Sequence, residues 1–232
     1  ALHRGLTELL ASYGVSIDPA LLTPGETLYA IELGEADASA AAEALLGEAA
    51  EADSSSTRYE ILYSADSGTL FVRTPDGALY LSHAEADRGA FDRALEDFHG
   101  MGYTVWQTQP AVRQADGVYA LGVEQALLGM PVFGGTLTFT YQDGALRAAD
   151  GVFYPESGSI ARVSEEACIS CADALTQILA SRDALGWVGS QITGMQQGYL
   201  HSETATSALR FTPVWRVETD TTVFYVNGIT RS

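Results

Sequence analysis

The sequence predicts an α+β protein of two units, each a curved antiparallel sheet on which helices pack. Three observations support this fold class. Residues 136–141 alternate threonine with leucine, phenylalanine and tyrosine, which is the period-two pattern of a half-buried strand. Amphipathic helix patterns lie on either side of this strand along the chain. Thr69-Leu70 and Thr136-Leu137 are each followed, at the same spacing, by Asp-Gly-Ala-Leu, and this repeat suggests two related units.

The first predicted unit comprises residues 1–83. It opens with a helix whose apolar stripe ends at Gly14, a glycine suited to a C-terminal cap. A strand follows over residues 28–33, and Asp37 or Ser39 then caps a second helix. The apolar stripe of that helix consists of small and branched residues, Ala38, Ala41, Ala42, Leu45, Leu46 and Ala49. Three short strands over residues 58–82 complete the unit as a meander, because Asp-Ser-Gly and Pro-Asp-Gly turn signals separate them.

The second predicted unit comprises residues 84–232. A helix over residues 84–100 comes first, followed by strands over residues 103–108 and 118–124. The central hairpin then turns at Gln142-Asp143-Gly144, since glycine and aspartate favour tight turns. Ser164 is predicted to cap the next helix, because two glutamates stand in what would be its first turn. Three further strand patterns cover residues 188–200, 209–218 and 221–229.

The charge balance excludes several classes of function. The chain of 232 residues has 30 acidic and 12 basic side chains, a net charge of −18, and all its basic side chains are arginines. Nucleic-acid binding is disfavoured, because phosphate contacts need clustered cations. The absence of lysine excludes a phosphate-loop lysine, a Schiff base and a Ser–Lys dyad.

Cys168 and Cys171 form a CxxC motif. Counted from Ser164, both thiols fall on the apolar stripe of the predicted helix. We therefore expect buried core cysteines on a helix that covers a sheet. Two alternatives remain open: a redox pair, whose first sulfur is usually exposed at a helix start, and a structural disulfide in an oxidising compartment.

Other polar residues do not form a pattern typical of catalysis. The histidines lack metal-ligand spacing, and adjacent acidic residues point to different helix faces. We therefore predict that the protein is not an enzyme and has no catalytic, cofactor-binding or metal-binding residues. The enzymatic alternative is a hydrolase with two carboxylates in one cleft. Trp106, Trp187 and Trp215 would suit an aromatic sugar platform, but their strand neighbours favour core or interface packing.

Residues 117–230 resemble PepSY-like domains. The stretch Gly-Met-Pro-Val-Phe-Gly-Gly at residues 129–135, with the turn that follows, is similar to a PepSY and thermolysin-propeptide type hairpin. The ending of the chain resembles the final hairpin of these domains, except that Gly228 stands where alanine is common and Arg231 where glycine is expected. The residues that carry these motifs, expected to be structural, are Pro131, Phe133, Gly144, Pro213, Trp215 and Asn227.

The order of these motifs looks most like the YycI/YycH group. Members of that group are extracytoplasmic domains on one N-terminal membrane helix, and they restrain a sensor kinase through protein contacts. The resemblance implies a regulatory domain on the extracytoplasmic face of the membrane, with an anchor upstream of residue 1. The implied partner is a sensor histidine kinase or a sister PepSY-like protein. Two alternatives are a peptidase inhibitor or chaperone acting in trans, and a cell-wall or sugar-binding module.

Overall fold

The structure is a computed structural model of the chain. It describes residues 2–34, 39, 42–43, 46, 50–54, 60–65, 68–73, 79–80, 82–83, 104–143, 145–154, 160–202 and 209–229. Two α-helices have described bounds, α1 (Leu2–Ser12) and α2 (Cys171–Ala180), and a 3-10 turn covers Pro19–Leu21.

Strands make up most of the described regular structure. They are β1 (Ser16–Ile17), β2 (Ile31–Leu33), β3 (Glu51–Ala52), β4 (Glu60–Ala65), β5 (Gly68–Arg73), β6 (Leu79–Tyr80), β7 (Ser82–His83), β8 (Thr104–Thr108), β9 (Val112–Ala115), β10 (Val118–Leu127), β11 (Met130–Gln142), β12 (Ala145–Phe153), β13 (Ile160–Arg162), β14 (Gln191–Ser202), β15 (Leu209–Thr219) and β16 (Val223–Asn227).

The chain forms two compact units, and neither is continuous in sequence. Unit 1 consists of residues 1–31, 162–200 and 211–232, and unit 2 consists of residues 32–161 and 201–210. This division differs from the boundary predicted at residue 83. Strand pairing crosses residue 83. Tyr80 and Leu79 on β6 pair with Val152 and Phe153 on β12, so these residues belong to one unit although they lie on either side of that position.

Unit 1 is a sheet with α1 and α2 packed against it. β1 runs parallel to the start of β14, β14 neighbours β15, and β15 pairs antiparallel with β16. The β15–β16 hairpin confirms the two strands predicted at the end of the chain. The helices and strands share one core, which consists of Leu6, Leu10, Val15, Leu22, Cys171, Ala174, Leu175, Ile178, Leu179, Trp187, Ile192, Trp215, Val217 and Val226.

Unit 2 contains the predicted central hairpin. β11 and β12 pair antiparallel, and Asp143 in the turn has the positive φ of 52° that this tight connection requires. Leu137, Phe139 and Tyr141 on β11 are buried, while the threonines between them are half-buried, so the period-two prediction is confirmed. β10 pairs with β11 on its other side, and β8 and β9 both pair with β10.

A four-stranded sheet in the order β3-β4-β5-β7 also belongs to unit 2. The predicted antiparallel pairing of the first two meander strands is confirmed by β4 and β5. The third predicted strand of the meander is divided between two partners. Ser82–His83 (β7) pairs with β5, whereas Leu79–Tyr80 (β6) pairs with β12.

The predicted fold class, two PepSY-like units with helices packed on each curved sheet, is wrong for the molecule as a whole. The described chain is mostly β, because β10, β11, β14 and β15 each extend over ten or more residues. The predicted helix near residue 39 is present at Ser39, Ala42, Glu43 and Leu46, with Ala42 and Leu46 buried. The helix predicted over residues 84–100 lies outside the described residues.

Candidate functional site

Helix α2 starts later than its sequence pattern indicates. Its N-cap is Ser170, whose hydroxyl oxygen accepts a hydrogen bond from the Asp173 backbone N–H at 3.2 Å. The Asp173 carboxylate in turn accepts from the Ser170 backbone N–H at 3.3 Å, which completes a capping box. Cys171 is therefore the first helical residue, and the cap predicted at Ser164 is wrong.

The segment before α2 is held by backbone hydrogen bonds to distant parts of unit 1. Val163 N–H donates to the Ala30 carbonyl, and Cys168 N–H donates to the Leu28 carbonyl. The Ser164 hydroxyl accepts from Ala30 N–H at 2.9 Å. Residues 163–169 are not helical, because backbone groups that a helix would need are already paired with distant residues.

The two cysteines consequently have different surroundings. Cys171 is buried on α2, whereas Cys168 is half-buried in the segment before α2 and does not lie on a helix, contrary to prediction. Both thiols are free. Burial raises the pKa of the Cys171 thiol to about 11 and also raises the pKa of Cys168, although a hydrogen bond with the Gln197 side chain opposes the second shift. Both shifts disfavour the thiolate, which is the nucleophilic form of cysteine.

Three sulfur-containing side chains belong to the apolar core of unit 1 or pack against it. They are Cys168, Cys171 and Met195, and we call them the sulfur cluster. The Cys171 Sγ lies 3.6 Å from the Met195 Sδ on β14. Gln197 follows Met195 by two residues on β14. Its side-chain oxygen accepts a hydrogen bond from Glu26 N–H at 2.6 Å, and its side-chain nitrogen donates one to the Glu26 carbonyl at 3.0 Å. Met195 and Gln197 were not identified from the sequence, since an isolated methionine or glutamine on a strand gives no motif.

A small apolar pocket opens beside the sulfur cluster. It has a volume of about 120 Å³ and lies between α1 and the start of α2. Its lining is Leu6, Leu22, Thr23, Pro24, Ser170, Cys171 and Ala172. Cys171 is both a member of the buried core and a lining residue of this pocket.

The residues of the family motifs are divided between the two units. Pro131 and Phe133 are buried on β11 of unit 2, whereas Pro213 and Trp215 are buried on β15 of unit 1. Gly144 lies outside the described residues. The Trp215 Nε1 donates to the Ile169 carbonyl at 2.9 Å, so this tryptophan fixes the segment before α2.

Asn227 ends β16 and has a local role. Its side-chain oxygen accepts a hydrogen bond from Ile229 N–H at 2.8 Å, which turns the chain as it leaves the strand. Pro213 lies next to the first registered pair of β15 and β16, Val214 opposite Asn227, and its carbonyl accepts a hydrogen bond from Gly228 N–H. The structural role that the motif resemblance implies for these residues stays a prediction.

One face of the β15–β16 hairpin carries exposed apolar side chains. Val223 is 41% exposed and Tyr225 is 47% exposed. The register places them opposite Glu218 and Arg216, which form a salt bridge at 3.0 Å. Because directly opposed residues share a face of an antiparallel pair, these four residues form one surface, which we call the outer hairpin face. The intervening Phe224 packs on the core side against Trp187, with ring centroids 5.9 Å apart.

The tryptophans do not form a shared sugar platform. Trp187 and Trp215 are buried in the core of unit 1, and Trp106 is exposed on β8 of unit 2. An aromatic platform needs exposed rings, so two of the three predicted members are excluded from that role.

Arg182 is a structural residue that the sequence pattern did not reveal. It follows α2 and donates to the carbonyl oxygens of Trp187, Tyr13 and Gly189 at 3.1, 2.6 and 2.7 Å. Its guanidinium also lies 5.0 Å from the centroid of the Trp187 ring. The Arg182 guanidinium thereby connects the residue that follows α1 to the loop after α2 through hydrogen bonds. A basic residue after a helix was the available signal, but its partners are set by the tertiary structure.

The described residues contain neither a metal-ligand cluster nor a membrane span. No three His, Cys, Asp or Glu side chains within them come together so that they could hold a metal ion. The helices of this described part are also too short or too polar to cross a bilayer.

Comparisons with known proteins give structural similarities at low sequence identity. The chain matches no protein-family model and no curated protein sequence. It is similar to the crystal structure of an uncharacterized protein from Eubacterium rectale ATCC 33656, with a TM-score of 0.48, 8% identity, and coverage of 94% of this chain and 83% of that chain. It is also similar to the Bacillus megaterium YpeB C-terminal domain, with a TM-score of 0.41, 10% identity, and coverage of 89% and 95%. At these scores neither similarity bears on function, and the YycI/YycH resemblance stays a prediction.

Proposed function

We propose that this chain is a regulatory domain that binds another protein and performs no chemistry itself. The resemblance to the YycI/YycH group supports a place on the extracytoplasmic face of the membrane, behind an N-terminal anchor. It also supports a sensor histidine kinase, or a sister PepSY-like protein, as the partner. The raised pKa values of the two thiols agree with a role other than nucleophilic catalysis.

The outer hairpin face is the observation that carries this proposal. Val223 and Tyr225 expose apolar area on a five-residue strand whose ladder partner, within the described chain, is β15. A strand at the edge of a sheet can accept another extended segment through main-chain hydrogen bonds. Tyrosine is also enriched at the energetic centres of interfaces, because it supplies a large contact area with a polar end.

The surrounding charges suit a selective interface. Arg216 and Glu218 are paired with each other across 3.0 Å, so the hairpin presents a polar border beside its apolar residues. An apolar centre with a polar rim is the usual arrangement of a protein–protein contact. A partner segment that offers an aromatic or aliphatic side chain to Tyr225 would fit this surface.

The test is capture of the partner from native membranes. A photo-crosslinking amino acid at position 223 in the anchored, full-length protein should recover a sensor histidine kinase or a sister PepSY-like protein. Tyr225→Asp should reduce this recovery by about tenfold or more, as expected for the loss of a central interface side chain. Tyr119→Asp is the matched control, because Tyr119 lies on β10 of unit 2 and is 45% exposed.

The identity of the captured protein separates the alternatives. Recovery of a secreted peptidase, lost in the Tyr225→Asp variant, would replace kinase regulation by peptidase inhibition. Equal recovery of every partner by the Tyr225→Asp and Tyr119→Asp variants would refute binding through the outer hairpin face.

A further inference from the structure

The apolar pocket between α1 and the start of α2 has no part in the proposed function. Its lining shares no residue with the outer hairpin face, although both belong to unit 1. Leu6, Leu22 and Cys171 form its buried side, whereas Thr23 and Pro24 are exposed, so the pocket lies at the surface. We propose that this pocket is a binding site for a small neutral apolar molecule about the size of a benzene ring.

The volume sets the size of the ligand. The pocket has a volume of about 120 Å³. An apolar cavity of about 150 Å³ in a protein core binds benzene or xenon. A single six-membered ring, or an aliphatic group of similar bulk, therefore matches the space between α1 and α2.

The side chains of the lining set the chemistry of the ligand. Leu6, Leu22, Pro24, Cys171 and Ala172 supply apolar surface, and no charged side chain belongs to the lining. Burial raises the pKa of the Cys171 thiol, which favours its neutral form. An ion would lose its hydration here without gaining a charged partner, whereas an apolar molecule gains by leaving water.

The two hydroxyl groups of the lining do not require a polar ligand. The Ser170 hydroxyl donates to the Asp173 carboxylate at 2.6 Å and accepts from the Asp173 N–H at 3.2 Å. Thr23 is exposed, so its hydroxyl can hydrogen-bond with solvent. A water molecule on the buried side would find few side-chain partners, and an apolar molecule can displace it at little cost.

The test is a titration of the full chain with benzene, followed by two-dimensional ¹H–¹⁵N NMR. We expect saturable shifts of the amide signals of the lining residues. Because benzene would bind the folded state, it should also raise the Tm of the chain. An equal amount of ethanol serves as the solvent control.

Two pairs of variants locate the binding. Ala172→Leu adds volume at the lining and should lower the affinity for benzene by about tenfold or more, since each lost methylene-sized contact costs roughly a factor of four. Ala180→Leu is its control, because Ala180 is exposed at the end of α2. Cys171→Ser places a hydroxyl in the lining and should also weaken binding, whereas Cys168→Ser should not, because Cys168 is outside the lining.

Benzoate tests the charge of the ligand, because it carries a carboxylate on the same ring. We expect benzoate to bind at least about tenfold more weakly than benzene, since its charge has no cationic partner in the lining. Circular dichroism establishes that each variant is folded. The proposal is overturned if benzene gives no saturable shift up to its solubility in water, or if both folded lining variants bind benzene as tightly as their controls. Tighter binding of benzoate would equally overturn it, because the ligand class would then be anionic.

Discussion

At the scale of single residues, Gly228 sets how closely the end of β16 approaches the segment before α2. A Cβ at this position would lie 2.5 Å from the Pro213 carbonyl oxygen and would also overlap the Cys168 Sγ. The backbone has little freedom to move away. Gly228 N–H donates to the Pro213 carbonyl, and the Gly228 carbonyl accepts from Ile169 N–H. A side chain at position 228 therefore cannot be placed without displacing the backbone or the Cys168 side chain.

Gly228→Ala should therefore lower the free energy of unfolding by about 1–3 kcal/mol, because the added methyl group overpacks a pinned backbone. Urea denaturation monitored by circular dichroism measures the change. Gly5→Ala is the control, since Gly5 lies in α1 and a methyl group there would have no neighbour within 4 Å. That substitution should raise stability by about 0.5–1 kcal/mol through helix propensity. Equal stability of wild type and Gly228→Ala would contradict the steric argument.

At the scale of elements, α2 joins the core of unit 1 to the sulfur cluster. Its buried side chains recur every three or four residues, and Leu175 and Ile178 sit at the centre of that stripe. The same helix places Cys171 beside Met195 and the apolar pocket. The packing of the unit 1 core and the position of the Cys171 side chain therefore both depend on one short helix.

Leu175→Ala should cost about 2–4 kcal/mol of unfolding free energy, the usual loss when a fully buried leucine is truncated. Gln177→Ala on the exposed face of α2 should change it by no more than about 0.5 kcal/mol. Chemical denaturation of both variants measures the difference. A Leu175→Ala variant as stable as Gln177→Ala would show that α2 does not cover the sheet as described.

At the scale of the whole molecule, charge and chain path limit what the protein can do. The chain has a net charge of −18, so its electrostatic potential repels polyanions such as nucleic acids. Each unit is assembled from separated stretches of sequence, so a cut after residue 83 divides the strands of unit 2. Experiments on this protein consequently require the full chain.

The charge leads to a direct expectation about nucleic acids. The full chain should produce no mobility shift with duplex DNA or single-stranded RNA between about 50 and 200 mM salt, because it lacks clustered cations to replace phosphate counterions. A basic DNA-binding protein of similar size, run beside it, establishes that the assay detects binding. A salt-dependent shift by this chain would contradict the expectation.

Local patterns predicted the hairpins well. The alternation from Thr136 to Tyr141 and the Asp143 turn needed no information from elsewhere in the chain, because a hairpin joins residues that are adjacent in sequence. The same holds for the β15–β16 hairpin. Of the candidate site, the sequence identified Cys168 and Cys171 but not Met195, because the contact between Cys171 and Met195 spans 24 residues and follows no motif.

The sequence by itself determined the strand alternation, the turns, the acidic charge and the presence of a CxxC pair, because each depends on neighbouring residues or on composition. The tertiary structure decided where α2 begins and which strands share a unit. Ser164 and Ser170 are both serines followed closely by acidic residues, so local capping chemistry does not distinguish them. Backbone hydrogen bonds from residues 163 and 168 to residues 30 and 28 hold the intervening segment in a non-helical conformation. Those bonds join residues more than a hundred positions apart, and only the folded chain brings them together.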